Sequence, residues 1–391
     1  MAYRQQGNRI PQGYGELMPN RIRNILLVAS LYDSFTFQDH GGLTEMLFEK
    51  HRDLNLASFP VLERVSTPEE AIQKLAKENF DLVIVLLRVS GSNIFPFINY
   101  VKTIPNKEIP ILLLATSASE LSMVDSRVDQ NARIRSAIDS SAHINETWKP
   151  NPTDLWMWPF IWQGDVRLFV AMIKMVEDRL NVIQDITIEP EIKIILLVED
   201  NVKFYSSYLP MLYTELVKQQ QSIMADTLTP IQQLKRSKAR PKIILANTFE
   251  EGRGIYQRFK ENILCLILDM SFPREGKHSE YAGLEFGRMV RAENPVLPIM
   301  IQSQDKENKQ LAKSIDAHFI HKLSSSLLHD FREFLFGELG FGPFQFRLPN
   351  NGKVLATAND IRSFTEILET GGFSDITHSF IMHQRIISQH G

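Results

Sequence analysis

The stretch "IKIILLVEDN" (residues 192–201) decides the fold. Five consecutive apolar residues, Ile194 to Val198, end in two carboxylates, Glu199 and Asp200. A continuous apolar run of this length reads as a strand covered on both faces, as in a parallel sheet with helices on either side. A second stretch, "NILCLILDMSFP" (262–273), repeats the pattern and ends its apolar run in Asp269. Acids are costly at the end of a buried strand unless something uses them.

Further strand-length runs follow the same rule: "KIILAN" (242–247), "LPIMIQS" (297–303) and "AHFIHK" (317–322). Amphipathic segments such as "FEEGRGIYQRFKE" and "LEFGRMVRAE" lie between them. Five β–α units in series predict a doubly wound parallel sheet over 190–340. The first half has the same rhythm, with "NILLVAS" (24–30), "LASFPVLERV" (56–65), "DLVIVLL" (81–87), "PILLLA" (110–115) and "LWMWPFIW" (155–162). A helix capped by Asp165 comes next. The chain therefore reads as α/β, with two flavodoxin-like five-stranded sheets in tandem at 21–185 and 190–340. "NVIQDITIEPE" (181–191) reads as the linker. Pro210 and Pro230 are expected to break the long segment after Asp200 into helical pieces.

Residues 1–20 read as a flexible tail. Residues 341–391 read as a small α+β extension: a hairpin turning at Asn350-Asn351-Gly352, then a short helix in "NDIRSFTEILET". That is too little to bury a core alone and fits a chain cut inside a domain.

The 391 residues are 43% apolar and 23% charged, with net charge −3, an ordinary globular balance without the basic excess of a nucleic-acid binder. The basic "KRSKARPK" reads as a solvated helix end. Cys265 is alone, which excludes an intrachain disulfide, and it lies inside an apolar strand, where it reads as a core residue. There is no secretory pattern and no membrane-length apolar window, so a cytoplasmic protein is expected. No Walker loop, Ser/His/Asp arrangement or HExxH appears, so an independent enzyme is not expected.

In an open parallel sheet, ligands bind beyond the carboxyl ends of the strands at the switch point of strand order. Glu199, Asp200 and Asp269 fall there on neighbouring strands. Their mutual repulsion suits a hard divalent cation such as Mg2+. Ser303 and Lys322 end two further strands and supply a hydroxyl and an ammonium for phosphoryl oxygens. Residues 192–335 resemble a response regulator receiver domain. Glu199-Asp200 match its acidic pair, Asp269 its phosphoacceptor, Pro273 and Gly283 its loop residues, Ser303 its hydroxyl, Lys322 its lysine and Phe319 its aromatic switch. The resemblance implies Mg2+ held by Glu199, Asp200, Asp269 and the Ser271 carbonyl, with phosphoryl groups from a histidine kinase or phosphotransfer protein. It also implies an output enzyme or protein partner; net charge and the missing membrane-length run lead to the expectation of neither nucleic acid nor membrane as partner. Leu323 departs from the family, which has proline after the lysine.

Aligning the halves puts Ala29 and Ser30 on the acidic pair, Arg88 on the acceptor, Ala115 on the hydroxyl and a tryptophan on the lysine: Trp158, in "WPF", mimics the usual Lys-Pro-Phe, but Trp162 better matches the spacing from Lys322 to Leu328. The first unit thus resembles a pseudo-receiver unable to accept phosphate, with Arg88 expected to fill its dead pocket. Through "FYSSYLPMLYTEL", "KARPKIILANT" and "ELGFGPFQFR" the layout also resembles the N-terminal regulatory region of bacterial phosphoenolpyruvate synthase-like proteins. That resemblance implies a regulatory arm of an enzyme. A scaffold that binds metal but is never phosphorylated is the third reading.

Overall fold

The computed structural model describes residues 19–30, 60–87, 94–104, 108–125, 148–151, 155–224, 240–339, 344–347, 354–358 and 367. The first unit runs β1 (Asn24–Val28), β2 (Val61–Val65), α1 (Pro68–Lys77), β3 (Leu82–Leu86), α2 (Phe95–Thr103), β4 (Ile111–Ala115), α3 (Ala118–Asp125), β5 (Trp156–Ile161) and α4 (Arg167–Ile188). The second opens with β6 (Ile194–Val198), α5 (Val202–Met224), β7 (Lys242–Ala246), α6 (Phe249–Phe259) and β8 (Ile263–Asp269). It continues through β9 (Phe272–Arg274), β10 (Lys277–Ser279), α7 (Ala282–Glu293), β11 (Ile299–Ser303), α8 (Asn308–Lys313), β12 (His318–His321) and α9 (Leu327–Gly337). An antiparallel pair, β13 (Phe344–Arg347) and β14 (Val354–Ala358), follows. Its turn at 350–352 and the residues proposed for the last helix, apart from 367, lie outside the described residues.

Each unit holds a five-stranded sheet whose paired neighbours are all parallel. The orders are β2-β1-β3-β4-β5 and β7-β6-β8-β11-β12. Order reverses beside the first strand of each sheet, so β1 and β3, or β6 and β8, flank the crevice where ligands bind in such folds. The repeat extends to its caps. Thr67 Oγ1 accepts from Glu70 N (3.2 Å) while Glu70 accepts from Ser66 N (2.8 Å). Thr248 and Glu251 do the same at the start of α6, at 3.2 and 3.0 Å. In both, the threonine satisfies an otherwise orphaned helix N–H as in a capping box, while the glutamate reaches one residue further back, to the N–H before the cap.

Two expectations about helices are corrected. Pro210 does not end a helix but sits inside the 23-residue α5. The interior proline costs about 3 kcal/mol. It is tolerated because α5 buries Tyr205, Tyr208, Leu209, Leu212 and Tyr213. Pro230 lies outside the described residues. The expected linker at 181–191 is helix as far as Ile188. Asn181, Val182 and Asp185 are buried because α4 lies between the two units and shares a core with α5 and both sheets. Asp165 behaves as a cap in substance: its carboxylate accepts from Arg167 N at 3.0 Å.

Charged groups on α4 are buried and paired across the units. Asp178 meets the Arg240 guanidinium at 2.5 Å and accepts from the Tyr213 hydroxyl at 3.0 Å. Asp185 pairs with Lys242 at 2.6 Å, both fully buried. Arg179 reaches Glu251 at 2.6 Å and the Leu245 carbonyl at 3.1 Å. Such pairs fix the docking register. Removing one partner strands a buried charge, at about 3–5 kcal/mol.

Candidate functional site

The carboxyl ends of β6, β8, β11 and β12 converge on one polar cluster. Glu199, Asp269, Ser303 and Lys322 are buried, and Asp200 is partly exposed. Lys322 Nζ lies 2.7 Å from Glu199 Oε2 and 2.7 Å from Asp269 Oδ2. Glu199, Asp200 and Asp269 each present a ligand oxygen within 4.8 Å of the others, so the three could hold one metal ion. Three carboxylate oxygens form a hard donor set that fits Mg2+ with water or phosphate in the remaining positions. Burial drives the Glu199 carboxyl well above its usual range, against the pull of Lys322. Burial, then the charge of Asp269, raises Asp200 as well.

The strand ends open on a cleft of about 340 Å3 lined by Asp269, Ser271, His278, Ser303, Asn308 and Lys322 among others. Ser303 Oγ accepts from Asp305 N (3.1 Å) and Asn308 Nδ2 (2.9 Å), which fixes the hydroxyl at the cleft wall. Behind Asp269, a Cβ on Gly283 would stand 1.8 Å from the Asp269 carbonyl oxygen. Only glycine lets α7 begin this close to the strand, and Gly283 N donates to the Met270 carbonyl at 3.0 Å. Phe319 is half-buried against the second unit's core and lines the neighbouring cleft with His321 and Leu323. His321 contacts the Gln304 carbonyl at 2.9 Å, and the His318 ring packs on Phe334, so neither joins the acids. Burial pushes the Cys265 thiol far up, consistent with an inert core residue.

Pro273 lies within β9, paired with His278 of β10. This hairpin turns at Glu275 and Gly276, both with positive φ, and brings His278 to the cleft. Its turn chemistry was visible in "REGK"; its position at the acids was not. Phe204 was missed too. Its ring lies 4.3 Å below Lys322 Nζ, one turn into the helix that follows the acids.

Backbone pairing identifies the equivalents in the first unit. Ala29 N donates to the Val65 carbonyl as Glu199 N does to Ala246, both at 3.0 Å. Trp162 N donates to Ala115 (2.7 Å) as Lys322 N does to Ser303 (2.8 Å), so Trp162 and Ala115 occupy the lysine and hydroxyl positions. The acceptor position needs correction. Leu87 N donates to Leu114 (3.0 Å) as Met270 N does to Gln302 (2.8 Å), which makes Leu86 the counterpart of Asp269. The linear alignment to Arg88 is two residues out, and one of the two is the extra residue that β8 carries between its pairings with Ile194 and Ile195, absent from β3. Arg88 itself lies outside the described residues. Ser30, beside Ala29, is buried.

These features define an α/β protein with two parallel five-stranded sheets, of which, among the described residues, only the second ends its strands in an acidic, lysine-bridged cluster. Among the described residues, no helix is long and apolar enough to cross a membrane. No family model and no curated protein matches the chain.

Proposed function

We propose that the second unit is a receiver domain of a phosphorelay that accepts a phosphoryl group on Asp269, and that the first is a pseudo-receiver. One observation carries this reading: Lys322 bridges Glu199 and Asp269 at 2.7 Å each, with Asp200 within metal-sharing distance. An acceptor needs its nucleophile beside a cation and a charge-neutralising lysine, and a merely structural acid needs neither.

In this reading an Asp269 carboxylate oxygen attacks phosphorus. The new P–O bond forms as the bond to the donor breaks, and the donor leaves with that electron pair. The step needs no separate base because a carboxylate nucleophile carries no proton to remove. Lys322 moves from the carboxylates to the phosphoryl oxygens and offsets their charge. Ser303 sits on the next strand to donate to another of them. Glu199, Asp200 and Asp269, with the Ser271 carbonyl by the family resemblance, would hold Mg2+, which when bound would supply charge neutralisation between acceptor and donor. The donor by this reading is a histidine kinase or phosphotransfer protein.

Incubation with acetyl phosphate and Mg2+ should add one phosphoryl group by intact mass, lost with chelator and in Asp269→Asn. Labelling of that variant would move the chemistry elsewhere. An unlabelled wild type, beside an authentic receiver that is modified, would favour a metal-binding scaffold.

A further inference from the structure

We infer that the first unit reads the state of Lys322 through the opening turns of α5, so that the pocket of the second unit has a resident partner on its own chain, the end of β5. The stimulus that moves Lys322 rests on the phosphoacceptor reading; the contact does not.

The helix begins directly at the acids. Asn201 N donates to Glu199 Oε1 at 3.1 Å, and Asn201 Oδ1 accepts from Lys203 N at 3.1 Å. One turn in, the Phe204 ring carries the Lys322 ammonium at 4.3 Å and stacks on Tyr208 at 6.0 Å. Residues 204 and 208 share one face of a helix, while 205 and 206 turn away from it. That other face is fastened to the first unit. The Tyr205 hydroxyl donates to the Pro159 carbonyl at 2.5 Å, and its ring meets Phe160 edge-on at 5.5 Å. Ser206 Oγ accepts from Ile161 N at 3.1 Å. Gln163 Nε2 donates to the Lys203 carbonyl at 3.0 Å, and Ser207 Oγ donates to Gln163 Oε1 at 3.2 Å.

Five consecutive residues, 203–207, thus hold the lysine of one pocket on one side and the outer strand of the other unit on the opposite side. The strand end they hold is the one that leads into Trp162, the residue at the lysine position of the first unit. The contact also satisfies β5, an edge strand whose outward N–H groups need partners, through the Ile161–Ser206 bond. Lys322 has one set of partners here: Glu199, Asp269 and the Phe204 ring. When the ammonium follows a phosphoryl oxygen, or loses Glu199 to a cation, its hold on the ring changes. The ring is buried against Tyr208, and any shift of the helix turn that follows it carries Tyr205 and Ser206 along. Each site then biases the other, as linkage requires.

All four tryptophans lie between residues 148 and 162; Trp148 packs on Phe259 of the second unit at 5.9 Å, so the experiment is run on Trp148→Phe, whose remaining tryptophans belong to β5 and its end and report on the first unit. Mg2+ and beryllofluoride are titrated while calorimetry follows binding and emission is read in parallel. Emission should change with the calorimetric midpoint. In Tyr205→Phe/Ser206→Ala the change should fall by half or more while binding persists. Gln163→Ala, at the exposed end of the contact, serves if the double variant does not fold. Flat emission alongside measured binding overturns the inference and leaves the phosphoacceptor reading standing. An undiminished change in the uncoupled variants overturns it also. A second arm needs no ligand: Lys322→Met should shift the emission of the folded chain. If calorimetry shows no binding, the phosphoacceptor reading fails and this arm decides. Unchanged emission in folded Lys322→Met, by circular dichroism, then overturns the inference.

Discussion

The two units solve the same folding problem with the same strand order and the same helix caps, and differ where the strands stop. In the first, Ala29, Leu86 and Trp162 occupy the positions that Glu199, Asp269 and Lys322 hold in the second. Ala29 and Leu86 are buried, and Trp162 packs on Phe169 at 5.7 Å. The fold therefore does not need the charges. An apolar set completes the same sheet, so the three charged groups of the second unit are there at a cost in desolvation that burial alone would not select.

That comparison can be broken most strongly by removing one charge and then all of them. Lys322→Met leaves Glu199 and Asp269 buried without their cation and should destabilise the second unit by about 3–5 kcal/mol in urea melts. Copying the first unit outright, Glu199→Ala with Asp269→Leu and Lys322→Trp, should recover that loss, because buried ion clusters replaced by apolar groups are often neutral or stabilising by about 1–4 kcal/mol. A triple variant less stable than Lys322→Met would mean that the charges hold the sheet together, and would count against a functional origin.

A smaller effect is expected from pH. The folded-state pKa values of Glu199 and Asp200 are raised, chiefly by burial. A raised carboxyl contributes stability that is fully present below its unfolded value and is lost as pH rises through its folded value. Without divalent cation, the second unit should therefore lose stability as pH climbs from the ordinary carboxylate range. Mg2+ should restore it by favouring the ionised carboxylates, and the first unit, with no such acids at its strand ends, should add no matching slope. Denaturant midpoints across pH, with Mg2+ and with chelator, test this. A slope of the same sign and size in both conditions would show that the acids do not bind the cation.

Most of this architecture was legible because buried strands announce themselves as uninterrupted apolar runs, and each run quoted from the two halves contains a strand. The acids were legible for the same reason: a carboxylate after Val198 or Leu268 has no apolar excuse. What escaped depends on three dimensions. Helix α4 looked like a linker after residue 181 because the segment carries Pro190, and nothing in the sequence shows that the polar Asn181 and Asp185 are buried. Their partners, Asn20 at 2.8 Å and Lys242 at 2.6 Å, are distant in sequence. Arg88 was matched to the acceptor in an alignment two residues out, one of which is an extra residue in β8 that residue-by-residue comparison does not see. Phe204 drew no notice because an aromatic near a helix start is ordinary until a lysine is found above it.

The smallest expected effect sharpens the comparison at a single side chain. Gln302 lies beside Asp269 in the β8–β11 ladder, fully buried, and neither atom of its amide has a hydrogen-bond partner within the described residues. Leu114 holds the equivalent place in the first unit, also fully buried. Alternation along β11 turns Gln302 away from Ser303 and onto the face it shares with Met300, where the core includes Ile320, Tyr208 and Phe331. An unsatisfied buried amide costs about 1–3 kcal/mol, and leucine removes that cost with little change in volume. Gln302→Leu should therefore raise the stability of the second unit by about 1 kcal/mol, read as a higher denaturant midpoint at unchanged slope. Gln302 shares a sheet face with its register partner Asp269 but does not line the cleft, so Mg2+ affinity and labelling by acetyl phosphate should change little. A loss of stability would show that the amide is satisfied in solution, most simply by a buried water. A gain in stability with impaired labelling would show that the second unit keeps a polar group at this position for the chemistry next door, where the first unit had no reason to.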